Sequence, residues 1–206
     1  MIKRIIILFI SLFIISNLLI SQTNTTPAES RKENLKKLLD YRYKGGFYSF
    51  ESLFWKTVEY PEIAKKNCIV GIAIVRFEVD CEGSLKNLRV TNSLQWGIEG
   101  EIQKFMNATL GNWNKCDDEK YTKFEVPIQF IINETEMNTD DAMIVLKTEM
   151  IGYQCKGDSY YKEKLDKALK KGRKNKSLKY VKELIKRDPY NNEYYEIRKK
   201  ILEEKK

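Results

Sequence analysis

The sequence predicts an α+β fold: a two-layer α-β-β-α-β unit with a small antiparallel sheet, followed by a C-terminal helical hairpin or three-helix tail. Three observations carry this. Side chains alternate between two faces over residues 72–79 and again over 124–132, the two-residue period of strands. Between them Ile98, Ile102, Phe105, Met106 and Leu110 fall at helical spacing. Beyond Tyr160 every apolar group, from Tyr161 and Leu165 to Ile197 and Ile201, repeats with the helical period.

Taken in order, the first segment reads as an address. Lys3 and Arg4 precede Ile5 to Ile20, an apolar run interrupted only by Ser11, Ser16 and Asn17, and small Ser21 follows. This is the layout of a secretory signal peptide over residues 1–21, cut after Leu19-Ile20-Ser21. The alternative is an uncleaved anchor helix, for which the run is short because a span needs about 20 apolar residues. No Cys lies near Ser21, which speaks against a lipid-modified N-terminus.

Residues 22–46 read as a flexible leader, since 22–34 carry one apolar side chain, Ala28. A short charged helix through Leu35, Leu38 and Leu39 is expected before Gly45-Gly46. Ser49 is the expected cap of a helix carrying Phe50, Leu53, Phe54 and Val58, and Pro61 opens a further turn toward Lys66. Ile69 to Asp80 is the first strand. Asp80-Cys81-Glu82-Gly83 supplies turn chemistry, and Leu85, Leu88 and Val90 return as its hairpin partner.

The helix from Ile98 ends at Gly111, with Trp113 closing over it. Phe124, Val126, Ile128, Phe130 and Ile132 then share one face of a strand that contains Pro127. A proline cannot donate to a ladder, so this strand is expected at a sheet edge or with a bulge. An edge offers unpaired backbone groups to another chain. Ile72 and Ile74 leave the first strand opposite Val75 and Phe77, so a second apolar face needs cover, either by Phe47-Tyr48 or by a homodimer partner. Residues 133–155 stay open, with Ala142 to Leu146 either a further strand or a helical turn. The domain is thus bounded at 47–135, a connector at 136–156 and a basic tail at 157–206.

Charge is uneven. Residues 156–206 hold eighteen Lys and Arg against nine Asp and Glu, whereas 22–155 is slightly acidic. A basic tail suits nucleic acid or an anionic membrane surface. An exported chain does not meet nucleic acid, and Lys outnumbers Arg, so solvated helix faces are the expectation and membrane contact is tied to an uncleaved leader.

Cys68, Cys81, Cys116 and Cys155 include no Cys-x-x-Cys pair, and the chain has no His, so the usual zinc spacing is missing. In an oxidising compartment four cysteines favour two disulfides. With the last strand antiparallel beside the first, Cys81 comes near Cys116, leaving Cys68 for Cys155; the alternative is that some remain buried free thiols. The absence of His also removes the commonest general base. Asp117-Asp118-Glu119 and Asp140-Asp141 sit in loops, and the ten Gly are dispersed, so no catalytic residue, cofactor or metal ligand is assigned.

The ordered set Tyr60-Pro61, Gly71, Asp80 to Gly83, Ser93, Gly97-Ile98-Glu99, Trp113 and Val126-Pro127-Ile128-x-Phe130 resembles the C-terminal domain of the TonB energy-transducer family. The resemblance implies a periplasmic domain whose last strand pairs with a short extended segment of an outer-membrane receptor. Tyr60, Phe124, Glu125, Val126, Pro127, Ile128, Gln129 and Phe130 are the positions that carry this here, by β-augmentation. Only Pro27 lies between residues 22 and 59, and residues 22–46 reach at most ~90 Å when extended. The expectation is therefore a non-enzymatic, secreted envelope module that binds a protein partner. The alternatives are a membrane-anchored energy transducer and a scaffold that binds through its tail. Gly172, Tyr180, Asp188 and Pro189 of that tail resemble one degenerate tetratricopeptide repeat, with Ser177 where the family packs Ala; an ordinary amphipathic hairpin docked on the domain or a partner is the other reading.

Overall fold

The computed structural model describes residues 25–203, so the expected signal peptide or anchor at 1–21 lies outside the described residues. In chain order the elements are α1 (Pro27–Arg42), α2 (Gly46–Thr57), α3 (Glu62–Lys66), β1 (Gly71–Val79), β2 (Leu85–Val90), α4 (Ile98–Ala108), a 3-10 turn (Glu119–Tyr121), β3 (Lys123–Ile132), β4 (Ile144–Thr148), α5 (Asp158–Lys170), α6 (Lys174–Arg187) and α7 (Asn192–Glu203). The class is α+β, with a small sheet and a helical tail.

The leader is the first correction. It is helical from Pro27, because Thr26-Pro27-Ala28-Glu29 forms a capping box. Glu29 N–H donates to Thr26 Oγ1 at 3.2 Å, and Thr26 N–H donates to Glu29 Oε2 at 2.8 Å. At the other end of α1, Arg42 is fully buried and makes no salt bridge among the described residues. Its guanidinium donates to the carbonyls of Asp80 and Tyr121, both at 2.7 Å, and of Asn114 at 3.1 Å. A charge can stay buried when hydrogen bonds replace its water, and here main-chain oxygens do so. The next helix starts at Gly46 rather than at Ser49, since Asp40 Oδ1 accepts from Phe47 N–H at 2.8 Å and supplies the cap.

The sheet order is β2-β1-β3-β4. β1 runs antiparallel to both neighbours and holds an unbroken register with β3, from Gly71 opposite Phe130 to Glu78 opposite Lys123. Against β1, β2 spends three residues where β1 spends two, a bulge at Asn87-Leu88. β4 is the strand reading of the open 133–155 stretch, and it pairs parallel with Ile128–Ile132.

One face of the sheet carries Ala73, Val75, Phe77, Val79, Phe124, Val126, Ile128, Phe130 and Ile132, and packs on α1, α2 and α4. Aromatic rings dominate that layer: Phe50 meets Phe105 edge-on at 4.9 Å, and Phe77 stacks on Phe124 at 4.9 Å. Trp113 sits among them, its indole N–H donating to Thr109 Oγ1 at 3.2 Å. The opposite face, with Ile72, Ile74 and Ile131 buried on it, is covered by the C-terminal helices. Phe47-Tyr48 does not take that place, because Phe47 belongs to the first core. Gly71 shows how closely α6 approaches: a Cβ there would stand 2.5 Å from the Lys186 carbonyl. The result is three layers rather than two.

Both expected disulfides are present. Cys81–Cys116 links the β1–β2 turn to the loop before β3, and Cys68–Cys155 ties the entry of β1 to the approach of α5. Closing loops of 35 and 87 residues, each contributes roughly 2–4 kcal/mol. Paired cysteines fit an oxidising compartment. No helix among the described residues is long and apolar enough to cross a membrane.

The tail is fastened by Arg187, almost fully buried. It donates to Asp158 Oδ1 at 3.1 Å and to the Lys156 carbonyl at 2.8 Å, and lies 4.5 Å over the Tyr161 ring. Gly172 and Asp188-Pro189 end α5 and α6 where expected, and Ser177 packs inside the hairpin.

Candidate functional site

The strand expected at the sheet edge is only half an edge. Along Ile128–Phe130, β3 lies between β1 and β4, so its backbone is already paired on both sides. This corrects the expectation for Ile128, Gln129 and Phe130. Ile128 and Phe130 point into the aromatic core, and Gln129 is buried, its amide donating to the Asn138 carbonyl at 2.9 Å. Tyr60 is corrected too: its ring packs edge-on against Phe130 at 5.5 Å and its hydroxyl donates to the Ile69 carbonyl at 2.5 Å. Burial pushes that phenol above its ordinary range, and nothing of it is offered to a partner.

The first half of β3 differs. The Pro127 carbonyl accepts from Met143 N–H at 2.9 Å, which places residue 127 on the β4 side of the strand. N–H and C=O of one residue point the same way and successive residues alternate. Glu125 and Lys123 therefore aim their backbone groups along that same side, beyond the beginning of β4. Pro127 has no N–H for a partner there, which ends the ladder. Val126 and Phe124 bond β1 instead and bury their side chains.

Beside this half edge lies a cleft of about 270 Å³. Lys123, Glu125 and Pro127 form one wall, and Leu35 and Leu38 of α1 form the other. One end is closed by a chain of contacts from three distant segments. Arg31 pairs with Asp141 and sits 4.5 Å over the Tyr190 ring. Tyr190 donates to Glu125 Oε1 at 2.9 Å, and Glu125 Oε2 accepts from Arg76 at 2.6 Å. Burial, and then the Glu125 carboxylate, raise the Tyr190 phenol well above its usual range, so it stays a donor. Sequence reading assigned Glu125 and Pro127 but missed Leu35, Leu38, Arg31, Asp141 and Tyr190. The helical spacing of Leu35 and Leu38 was visible; that α1 lies along β3 was not.

Comparison with protein families, curated proteins and solved structures finds no match for this chain.

Proposed function

We propose that the protein is a non-enzymatic binding module of the cell envelope that takes a short extended segment of a protein partner along the free half of β3. The supporting observation is the coincidence, at Lys123 to Glu125, of an unpaired strand edge with an apolar cleft that Pro127 helps to line. Main-chain groups of Lys123 and Glu125 supply hydrogen bonds to an added strand, and Leu35, Leu38 and Pro127 receive its apolar side chain. Such a segment continues the line of β4, whose ladder stops at Pro127. The TonB-type resemblance of the 47–132 region agrees with this kind of partner, and an outer-membrane receptor is the class it suggests. Export to the periplasm agrees with the basic and apolar layout of residues 1–21 and with the two disulfides.

A photo-cross-linking residue at Leu38 tests the proposal in the envelope of an expressing cell. The expected result is one cross-linked protein, lost when Pro127→Asp is added, with the Lys123 and Glu125 amides becoming protected from exchange once that protein is bound. Cross-linking unaffected by Pro127→Asp, in a protein that melts like its parent, overturns the site. Protection of tail amides instead of Lys123 and Glu125 assigns the binding to the helices.

A further inference from the structure

The α5–α6 hairpin carries a second surface, independent of the β3 edge. Lys164, Lys167 and Lys171 stand at i, i+3 and i+7 along α5 and into its turn, and Arg173, Lys176 and Tyr180 repeat that spacing along α6. The two stripes face each other across a groove of about 230 Å³ whose lining is these six side chains and Ala168, without a carboxylate. Lys167 pairs with Glu163 on the groove's outer side, and Lys164 lies 5.3 Å over the Tyr160 ring. Lys171, Arg173 and Lys176 are exposed and take part in no ion pair among the described residues. Like charges so close together repel, and elsewhere on α6 the same spacing is used for relief, as in Glu183 with Lys186 and Arg187. Lys171, Arg173 and Lys176 forgo that relief among the described residues.

We infer that this basic tip docks on an anionic lipid surface, with the groove receiving phosphate headgroups. Two features select a membrane over other polyanions. Lysine ammoniums are compact point charges that suit a fluid array of headgroups, whereas bidentate recognition would favour arginine. The export-type layout of residues 1–21 also delivers the chain to a lipid-bounded compartment. Cationic segments near such surfaces bind in proportion to their charge and lose binding as salt screens it.

Co-sedimentation of the chain from Gln22, which keeps every described element and both disulfides, with vesicles of phosphatidylglycerol and phosphatidylethanolamine (1:3) tests this. Binding is expected at 50 mM salt, reduced at least tenfold at 500 mM, and absent from pure phosphatidylcholine vesicles. The variant K164Q/K167Q/K171Q/R173Q/K176Q is expected to lose at least tenfold. A control with five other lysines neutralised, K36Q/K37Q/K56Q/K66Q/K115Q, should stay within twofold of the parent. Circular dichroism melts verify that both variants fold. Equal losses in the two variants would reduce the effect to net charge and overturn the groove. Binding to phosphatidylcholine as strong as to the anionic mixture would overturn it as well, as would uptake of single-stranded oligonucleotide or of inorganic phosphate with no uptake of vesicles.

Discussion

The two faces of the sheet are held by different physics. Toward α2 and α4 the contact is a continuous layer of buried rings and aliphatic groups, an area-dependent attraction that tolerates small shifts. Toward the tail the sheet contributes Ile72, Ile74 and Ile131, and the joint relies on individual polar contacts: Asn92 donating to the Lys186 carbonyl and Tyr190 to Glu125. Directional contacts fix position but contribute little each. One side of the sheet thus sets whether the domain folds, while the other sets where the tail sits.

The sharpest way to break this contrast is Phe105→Ala. It removes a ring packed on Phe50 and Phe54, and we expect a loss of about 4 kcal/mol in denaturant unfolding, felt by every amide. Arg187→Ala should cost about 3 kcal/mol by leaving the Asp158 carboxyl buried without its partner. Hydrogen exchange should confine that loss to α5, α6 and α7; an equal loss in β1 and β3 would show that the tail is no separate layer. Cys68→Ser with Cys155→Ser should cost roughly 2–3 kcal/mol and speed exchange in the tail before the sheet.

The smallest effect is a gain. Burial pushes the Asp188 carboxyl above its ordinary value, with Asp141 adding to the shift and the Asn138 hydrogen bond working against it. A carboxyl raised on folding binds its proton more tightly in the native state. Its contribution is full below the unfolded value and is lost as pH climbs through the folded one. Asp188→Asn should therefore stabilise by about 1 kcal/mol at pH 7. The gain in melting temperature of the variant over its parent should shrink on acidification from pH 7 toward pH 4, where Asp188 is protonated in the parent as well; a gain that does not change with pH would remove Asp188 from the account.

The legible parts of the fold were those written in local period. β1 and β3 announced themselves by alternation, and their antiparallel register then brought Cys81 to Cys116. Pro127 signalled an interruption of pairing correctly, but which side lacked the donor depends on β4, a five-residue strand too short to separate from a helical turn. Thr26-Pro27-Ala28-Glu29 was a readable helix start, hidden by the scarcity of apolar residues around it. The tail's cover over Ile72 and Ile74 was not readable, because its contacts there are polar and long-range. The candidate cleft was half legible for the same reason: β3 supplied its wall by pattern, and α1 and Tyr190 arrive only through packing.

Arg42 has a consequence for how this protein can vary. Every oxygen it holds belongs to the main chain, so a new side chain at Asp80, Asn114 or Tyr121 leaves the acceptor in place. Asn114 and Tyr121 can change without loosening the hold of Arg42 on the joint between α1 and the end of β1, whereas Asp80 is also held to its turn by Ser84 N–H and Lys86, and the joint's specification rests on the single side chain of Arg42.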